Sequence, residues 1–457
     1  MKDESLKQEI YRFPARKIAR AVIDGKISAV EVAEAFLERI YELNPLYKAW
    51  IHLNEAYVLD QATQVDAQKT KGPLAGIPVG VKDIFNTEVF PTEMGSTIWK
   101  GHKAGNDARC VSNLRRDSAI IAGKTDTAEF AVHTAGYALN PWNTTHVTGT
   151  SSGGSAVAVA TAMAPAALAT QTAGSTIRPA SWCGVYGMKP SFGIIPRTGV
   201  LKTTDTLDNI GFYGRDAQDL RLLLDSMRVH GHNYPIMESR FKAYQTRPAD
   251  RWRVGFIRGH LWEEAPEYVQ NAILNAAREV AAAGNIELVE LELPESTHNA
   301  HRLHRRIYNP CLSYYFKEEL AKAPEAISDS FLSLVEDGKT LSPEDYKVAL
   351  QEQAALAHEV ETWFSDNHID FLMHYSSNGS APLREPGLNM DINLLWTLTW
   401  LPVINIPKFK CPQGLPFGMQ IIGPRYSDYR MFDFLNQLVS HAIAPELAPL
   451  AECKIPA

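Results

Sequence analysis

Short apolar runs punctuated by glycine and proline alternate along this chain with longer segments of helical periodicity, and few architectures accept that order. Between Arg251 and Leu293, "RWRVGFIRG" is followed by "PEYVQNAILNAAREVAAAG" and then by "IELVELEL". Strand, helix and strand in that order make a βαβ unit, with Gly284 expected as the helix C-cap. "GPLAGIPVGVKDIF", "SAIIAGKT", "GVYGMKPSFG", "FLMHYS" and "PFGMQIIGP" read as further strands, because short apolar runs between turn formers suit strands covered on both faces. "SAVEVAEAFLERIYELN" reads as a helix capped by Ser28, with Val30, Val32, Ala33, Phe36 and Ile40 near helical spacing. The alternation predicts an α/β fold, a sheet covered by helices.

At 457 residues the chain can bury a large core. It shows no internal repeat, and the polar stretch His230 to Asp250 is expected to be a long surface connection. Asp and Glu (52) exceed Lys and Arg (45), giving a net charge of −7. With no sustained basic run, that balance argues against a nucleic-acid or anionic-membrane surface. The longest small-apolar stretch, Ala156 to Ala169, is alanine-rich, helix-like and broken by Pro165, so no membrane span is expected. The first residues carry no apolar signal region. Cys110, Cys183, Cys311, Cys411 and Cys453 are scattered with no C-x-x-C pair, which fits a reducing compartment. A cytoplasmic protein is the expectation.

Several motifs compete for the chemistry. Gly149-Thr150-Ser151-Ser152-Gly153 satisfies G-x-S-x-G, the nucleophile elbow, which needs a hydrophobic strand before it. The preceding "NPWNTTHVT" reads as loop, which disfavours the elbow. Gly123-Lys124-Thr125 resembles the end of a phosphate-binding loop, yet Ser118 stands where the opening glycine belongs. In "HNAHRLH", His298, His301 and His304 are followed by two arginines and no carboxylate completes a site, so a solvated helical face is expected rather than a metal.

Lys82 ends the apolar run "GIPVGV". On position alone it snorkels, its stem buried and its ammonium in water. Chemically, burial would disfavour the ammonium and free a neutral amine as a base. Serine hydroxyls need such a base, and Ser-Lys variants of the hydrolytic triad exist. The small residues of "QTAGS" would let backbone N–H groups converge on a developing oxyanion.

Three segments in order, "GPLAGIPVGVKD", "GTSSGGSAVAVA" and "QTAGSTIRPASWCGVYGMKPSFG", resemble the amidase signature family of Ser–Ser–Lys hydrolases. Weaker likeness extends to "DGKISAVEVAEAFLERI", "TLDNIG" and "LPVINIPKFKCPQGLPFGMQIIGP". The resemblance implies one domain over residues 1–457, a mixed, twisted central sheet with helices on both faces, a catalytic core over about 70–215 and a more variable region over 230–390. It implies Ser175 as nucleophile, Ser151 as a bridging serine on a cis peptide, and Lys82 as base. Thr172, Ala173, Gly174 and Ser175 would supply the oxyanion hole. Ser152 holds the loop or caps the helix beginning near Gly154. Thr150 departs from the family pattern, in which glycine more often precedes the bridging serine.

Arg178 lies three residues after Ser175, in a variant that resembles members acting on small amides bearing a carboxylate, as malonamate does. Its guanidinium either clamps a substrate carboxylate or pairs with a buried acid or backbone carbonyls. Gln171, where many members have aspartate, belongs to the same variant, and Arg178, Ser152 and Gln171 are the expected substrate contacts. Trp400 stands where glycine is frequent. Tyr137, Tyr314 and Tyr315 either line the site or pack in the core. The expected activity is hydrolysis of a small-molecule carboxamide through an acyl-enzyme, with no cofactor and no metal. The alternatives are the A-type component of a tRNA-dependent glutamine amidotransferase, or another amide-transferring member, and a non-catalytic member. Homodimers are common in the resembled family.

Overall fold

The computed structural model describes residues 9–132, 134–231, 235–245, 250–384 and 391–451. Among them, eleven strands form one sheet. In chain order these are β1 (Trp50–Leu53), β2 (Pro78–Lys82), β3 (Ile120–Thr125), β4 (Ala166–Gln171), β5 (Tyr186–Lys189) and β6 (Asn209–Gly214). They continue with β7 (Trp252–Phe256), β8 (Ile286–Glu290), β9 (Phe371–Tyr375), β10 (Val403–Lys410) and β11 (Pro416–Ile422). The order across the sheet is β1-β3-β2-β4-β6-β5-β10-β11-β9-β7-β8. β2 runs parallel to β3 and β4, and β7 runs parallel to β8 and β9. The other neighbours are antiparallel. This is the mixed α/β sheet flanked by helices that the alternation of elements predicts.

The local rules that set these elements are mostly visible. The helix Ala29–Tyr47 starts at Ser28, whose side chain accepts from the Glu31 amide while Glu31 returns the bond, a capping box. The predicted βαβ unit is β7, the helix Glu267–Ala282 and β8. Its helix does not end on Gly284: Ala283 takes an extended backbone (φ −74°, ψ 111°) and closes the last turn without a left-handed residue. The alanine-rich run is not one helix. It divides into the helix Gly153–Ala160 and strand β4, separated by Ala162 at φ 58° and by Pro165, which cannot continue a helix. The stretch from His230 to Asp250 is more than a surface connection. It contains the helix Pro235–Gln245, which buries Met237 and Phe241, the latter edge-on to Tyr426 and Tyr429. Cys453 lies outside the described residues.

Two features of the fold position the chemistry. β2 sits between β3 and β4 and all five of its residues are buried, so a side chain at its C-terminal end starts deep in the sheet. The helix Gly153–Ala160 is buried at every position. Only glycine, alanine, serine and valine occupy it, and it lies close against β4, β2 and the helix Ile177–Cys183. Ser155 fastens it, donating to the Leu168 carbonyl at 2.7 Å and sharing a 2.6 Å hydrogen bond with Thr125. No helix among the described residues is long and apolar enough to cross a membrane.

Candidate active site

Lys82 is wholly buried at the end of β2, so it does not snorkel. Its Nζ donates to Ser151 Oγ at 2.7 Å and to Thr170 Oγ1 at 2.8 Å. Burial drives its pKa well below the ordinary lysine range, against the weaker opposing pull of Asp208 and Asp126. Asp126 is itself pushed up to about 6 by burial. The site therefore favours an uncharged amine held against a hydroxyl.

Ser151 lies in the loop before the helix Gly153–Ala160, with no strand ahead of it, and its peptide bond to Thr150 is cis. Gly149 has φ +106°, and a Cβ there would stand 2.6 Å from Pro179 Cα, so only glycine allows the two loops to approach this closely. Arg178 ties the same loops together. Its Nε donates to the Gly149 carbonyl at 2.9 Å, one Nη to the Thr150 carbonyl at 3.0 Å, and the other pairs with Asp391. Of the two roles open to this arginine, the geometry is that of a pair with a buried acid and backbone carbonyls. Ser152 does not cap the helix that follows. Its hydroxyl donates to the Thr170 carbonyl and accepts from the Thr170 amide, both at 3.2 Å, which joins the Ser151 loop to β4.

Ser175 stands at the turn between β4 and the helix Ile177–Cys183, partly exposed. Gln171 builds this turn from beneath. Its Oε1 accepts from the Thr176 and Ile177 amides, each at 3.0 Å, and its Nε2 donates to Thr397 Oγ1 at 3.1 Å. Fully buried and committed at both ends, Gln171 is a brace rather than a substrate contact.

The carbonyls of the same segment are pinned one after another. His304 Nε2 donates to the Thr172 carbonyl at 2.9 Å, Thr397 Oγ1 to that of Ala173 at 2.6 Å, and the Arg178 amide to that of Gly174 at 2.9 Å. In a trans peptide C=O and N–H point opposite ways. Fixing these carbonyls therefore turns the N–H groups of Ala173, Gly174 and Ser175 to the other side, where they meet no acceptor among the described residues. Gly174 is required here as well, since a Cβ would collide with the Asp391 carboxylate. Thr172 opens the row, its hydroxyl donating to Asp208 at 2.9 Å. Asp208 also accepts from the amides and hydroxyls of Thr203 and Thr204.

The structure thus joins Lys82 directly to Ser151 and locks the loops of Ser151 and Ser175 together. No direct hydrogen bond links the two serine hydroxyls. Thr170, Asp208, His304, Asp391 and Thr397 were not singled out by the sequence as site residues. His304 does not belong to a solvated face: it is buried against Thr172, while His298 is exposed and His301 half-buried. Tyr137 and Tyr314 are 71% and 66% exposed, so neither is core. Tyr314 and Tyr315 line a separate cavity of about 360 Å³, whereas Thr170, Thr172 and Asp208 border one of only about 10 Å³. Trp400, at φ +62°, donates from its indole to the Thr206 carbonyl at 2.9 Å and packs near Phe192, bracing the loop that carries Asp208. His52, Asp83 and Glu93 bring ligand atoms within 4.8 Å of one another, but Lys124 already neutralises Asp83 at 2.8 Å.

A protein-family model described as Amidase matches residues 31–432. The chain belongs to the Amidase family. As a member it is an amide-cleaving enzyme. The A-type component of the chloroplastic/mitochondrial glutamyl-tRNA(Gln) amidotransferase of Arabidopsis thaliana is 29% identical over 90% of this chain and 86% of its own. The corresponding component of the Nitrosospira multiformis glutamyl-tRNA(Gln) amidotransferase is 36% identical over 62% of this chain and 61% of its own. Among solved structures, 6-aminohexanoate cyclic dimer hydrolase complexed with substrate superposes with a TM-score of 0.84 at 21% identity, covering 97% of this chain and 99% of that one. Native peptide amidase from Stenotrophomonas maltophilia gives 0.83 at 21% identity with the same coverage. These likenesses support the amidase fold. They give no support to the malonamate-type variant read from Arg178, whose guanidinium is already spent on the loops and Asp391.

Proposed function

We propose that this family member is a serine amidohydrolase in which Lys82 and Ser151 relay protons for the nucleophile Ser175. The observation that carries the reading is the fully buried amine of Lys82, 2.7 Å from Ser151 Oγ. Lys82 takes the Ser151 proton as Ser151 takes that of Ser175, and Ser175 Oγ bonds to the amide carbon. The N–H groups of Ala173, Gly174 and Ser175, with Thr172 beginning the row, receive the developing oxyanion. The relay then reverses: Ser151 protonates the leaving nitrogen as Lys82 returns its proton, and the C–N bond breaks. Water repeats the sequence on the acyl-enzyme and releases a carboxylic acid and free Ser175. The Ser151–Ser175 contact closes in the substrate complex, since catalytic hydrogen bonds commonly tighten only there.

A panel of small carboxamides scored for ammonia or amine release tests this reading, with Ser175→Ala, Ser151→Ala and Lys82→Met alongside. Full turnover in any folded variant contradicts the relay. A second reading follows from the curated relatives: the glutamine-hydrolysing component of an amidotransferase. Ammonia release from glutamine above all other amides, together with partner proteins copurifying from the native source, would favour it. The homodimer implied by the family resemblance is tested by the mass of the purified protein in solution.

A further inference from the structure

The histidines in "HNAHRLH" acquire a partner that the sequence did not reveal. The loop after β7 brings His260 to the same place: its ring centroid lies 5.6 Å from that of His301 and 5.9 Å from that of His298. Both His260 Nε2 and His301 Nε2 are buried without a hydrogen-bond partner among the described residues. A buried imidazole nitrogen left unbonded carries a desolvation cost that a ligand would relieve. We propose that His260, His298 and His301 form a binding site for one divalent transition-metal ion of the zinc class.

The spacing fits. A metal about 2.0–2.1 Å from each nitrogen sets two imidazole centroids roughly 5–6 Å apart at near-tetrahedral angles. Burial lowers the pKa of His260 and of His301, so both rings offer neutral nitrogens. The two objections raised by the sequence fall away. Glu264 lies within electrostatic reach of His260 and His301, so the neighbourhood is not without a carboxylate. The following arginines point elsewhere, Arg305 pairing with Asp337 and Arg306 with Glu352. As the rings stand, His52, Asp83 and Glu93 are the trio with three ligand atoms within 4.8 Å. The histidine site as proposed needs the three rings to turn toward one another, and χ2 is a broad and soft torsion for imidazoles.

The test titrates metal-stripped full-length protein with Co²⁺ and Zn²⁺, reading visible d–d absorption for cobalt and calorimetric heat for zinc. Saturation at one ion per chain is expected, with affinity weakened by about 100-fold or more in His260→Ala, His298→Ala and His301→Ala and unchanged in His52→Ala. His298 is exposed, so its variant reports on binding without a folding defect. Histidine ring NMR signals of the unmodified protein give a second readout and should shift for these three residues on adding Zn²⁺. Binding weaker than about 1 mM, binding that survives all three substitutions, or binding lost only in His52→Ala would overturn the site.

Discussion

Replacing Lys82 with methionine removes the base while keeping most of its buried volume, and the consequences for stability and activity separate cleanly. An unfolded lysine titrates near pH 10.4, so folding near neutral pH with an uncharged amine releases a proton at a cost of several kcal/mol. Methionine avoids that cost but deprives Ser151 Oγ and Thr170 Oγ1 of their 2.7 and 2.8 Å partner. Each loss is worth about 1–3 kcal/mol. Near neutral pH the terms offset to within a few kcal/mol, so the variant should fold. The pH dependence does not cancel. Because burial lowers the folded-state pKa of Lys82 below the unfolded one, the unfolded chain binds more protons between the two values. Wild-type stability therefore rises with pH through that window by about 1.4 kcal/mol per unit relative to the variant. Urea unfolding at about pH 7 and pH 9 should show the difference swinging toward wild type as the pH rises. Amide turnover should fall by about 10⁴-fold or more. A stability difference that stays flat with pH would mean a charged Lys82 in the folded protein and would refute the reasoning.

Other consequences follow from the same geometry. Ser175→Ala should leave stability within about 0.5 kcal/mol, the side chain being partly exposed, and should lower kcat by about 10⁴- to 10⁶-fold, measured as ammonia release. In wild type, kcat/KM should climb with pH as Lys82 loses its proton, with a midpoint well below that of a free lysine; an acid limb centred near pH 10 would contradict a desolvated base. Arg178→Leu strands Asp391 and frees the carbonyls of Gly149 and Thr150, so urea unfolding should show a loss of about 3–5 kcal/mol. Its activity should fall on neutral and anionic amides alike, and loss confined to anionic amides would restore the clamp.

The strands of this fold were legible where a short apolar run stood out from the helical segments around it, as in β2, β3, β9 and β11. They were hidden where composition imitated a helix. β4 carries three alanines and one leucine, and only Pro165 betrays that the run before it has ended. The site divides along the same line. Lys82, Ser151 and Ser175 could be picked out as candidates because each sits in a short motif that resembles the family's. Their braces come from far along the chain: His304 and Thr397 reach Thr172 and Ala173 across 132 and 224 positions. Nothing near residue 172 announces them. Arg178 shows the limit from the other side. Its position left a substrate clamp and a structural pair equally open, and Asp391, the partner that decides between them, lies 213 residues away.

A fluorophosphonate probe addresses the relay most directly, because it phosphonylates a serine at a rate set by how strongly its hydroxyl is activated. Intact-mass and peptide mapping should find one adduct, on Ser175, formed at a rate that drops by about 100-fold or more in Lys82→Met and in Ser151→Ala. An adduct on Ser151 instead, or labelling of Ser175 at an unchanged rate in either variant, would show that the buried amine does not activate the nucleophile.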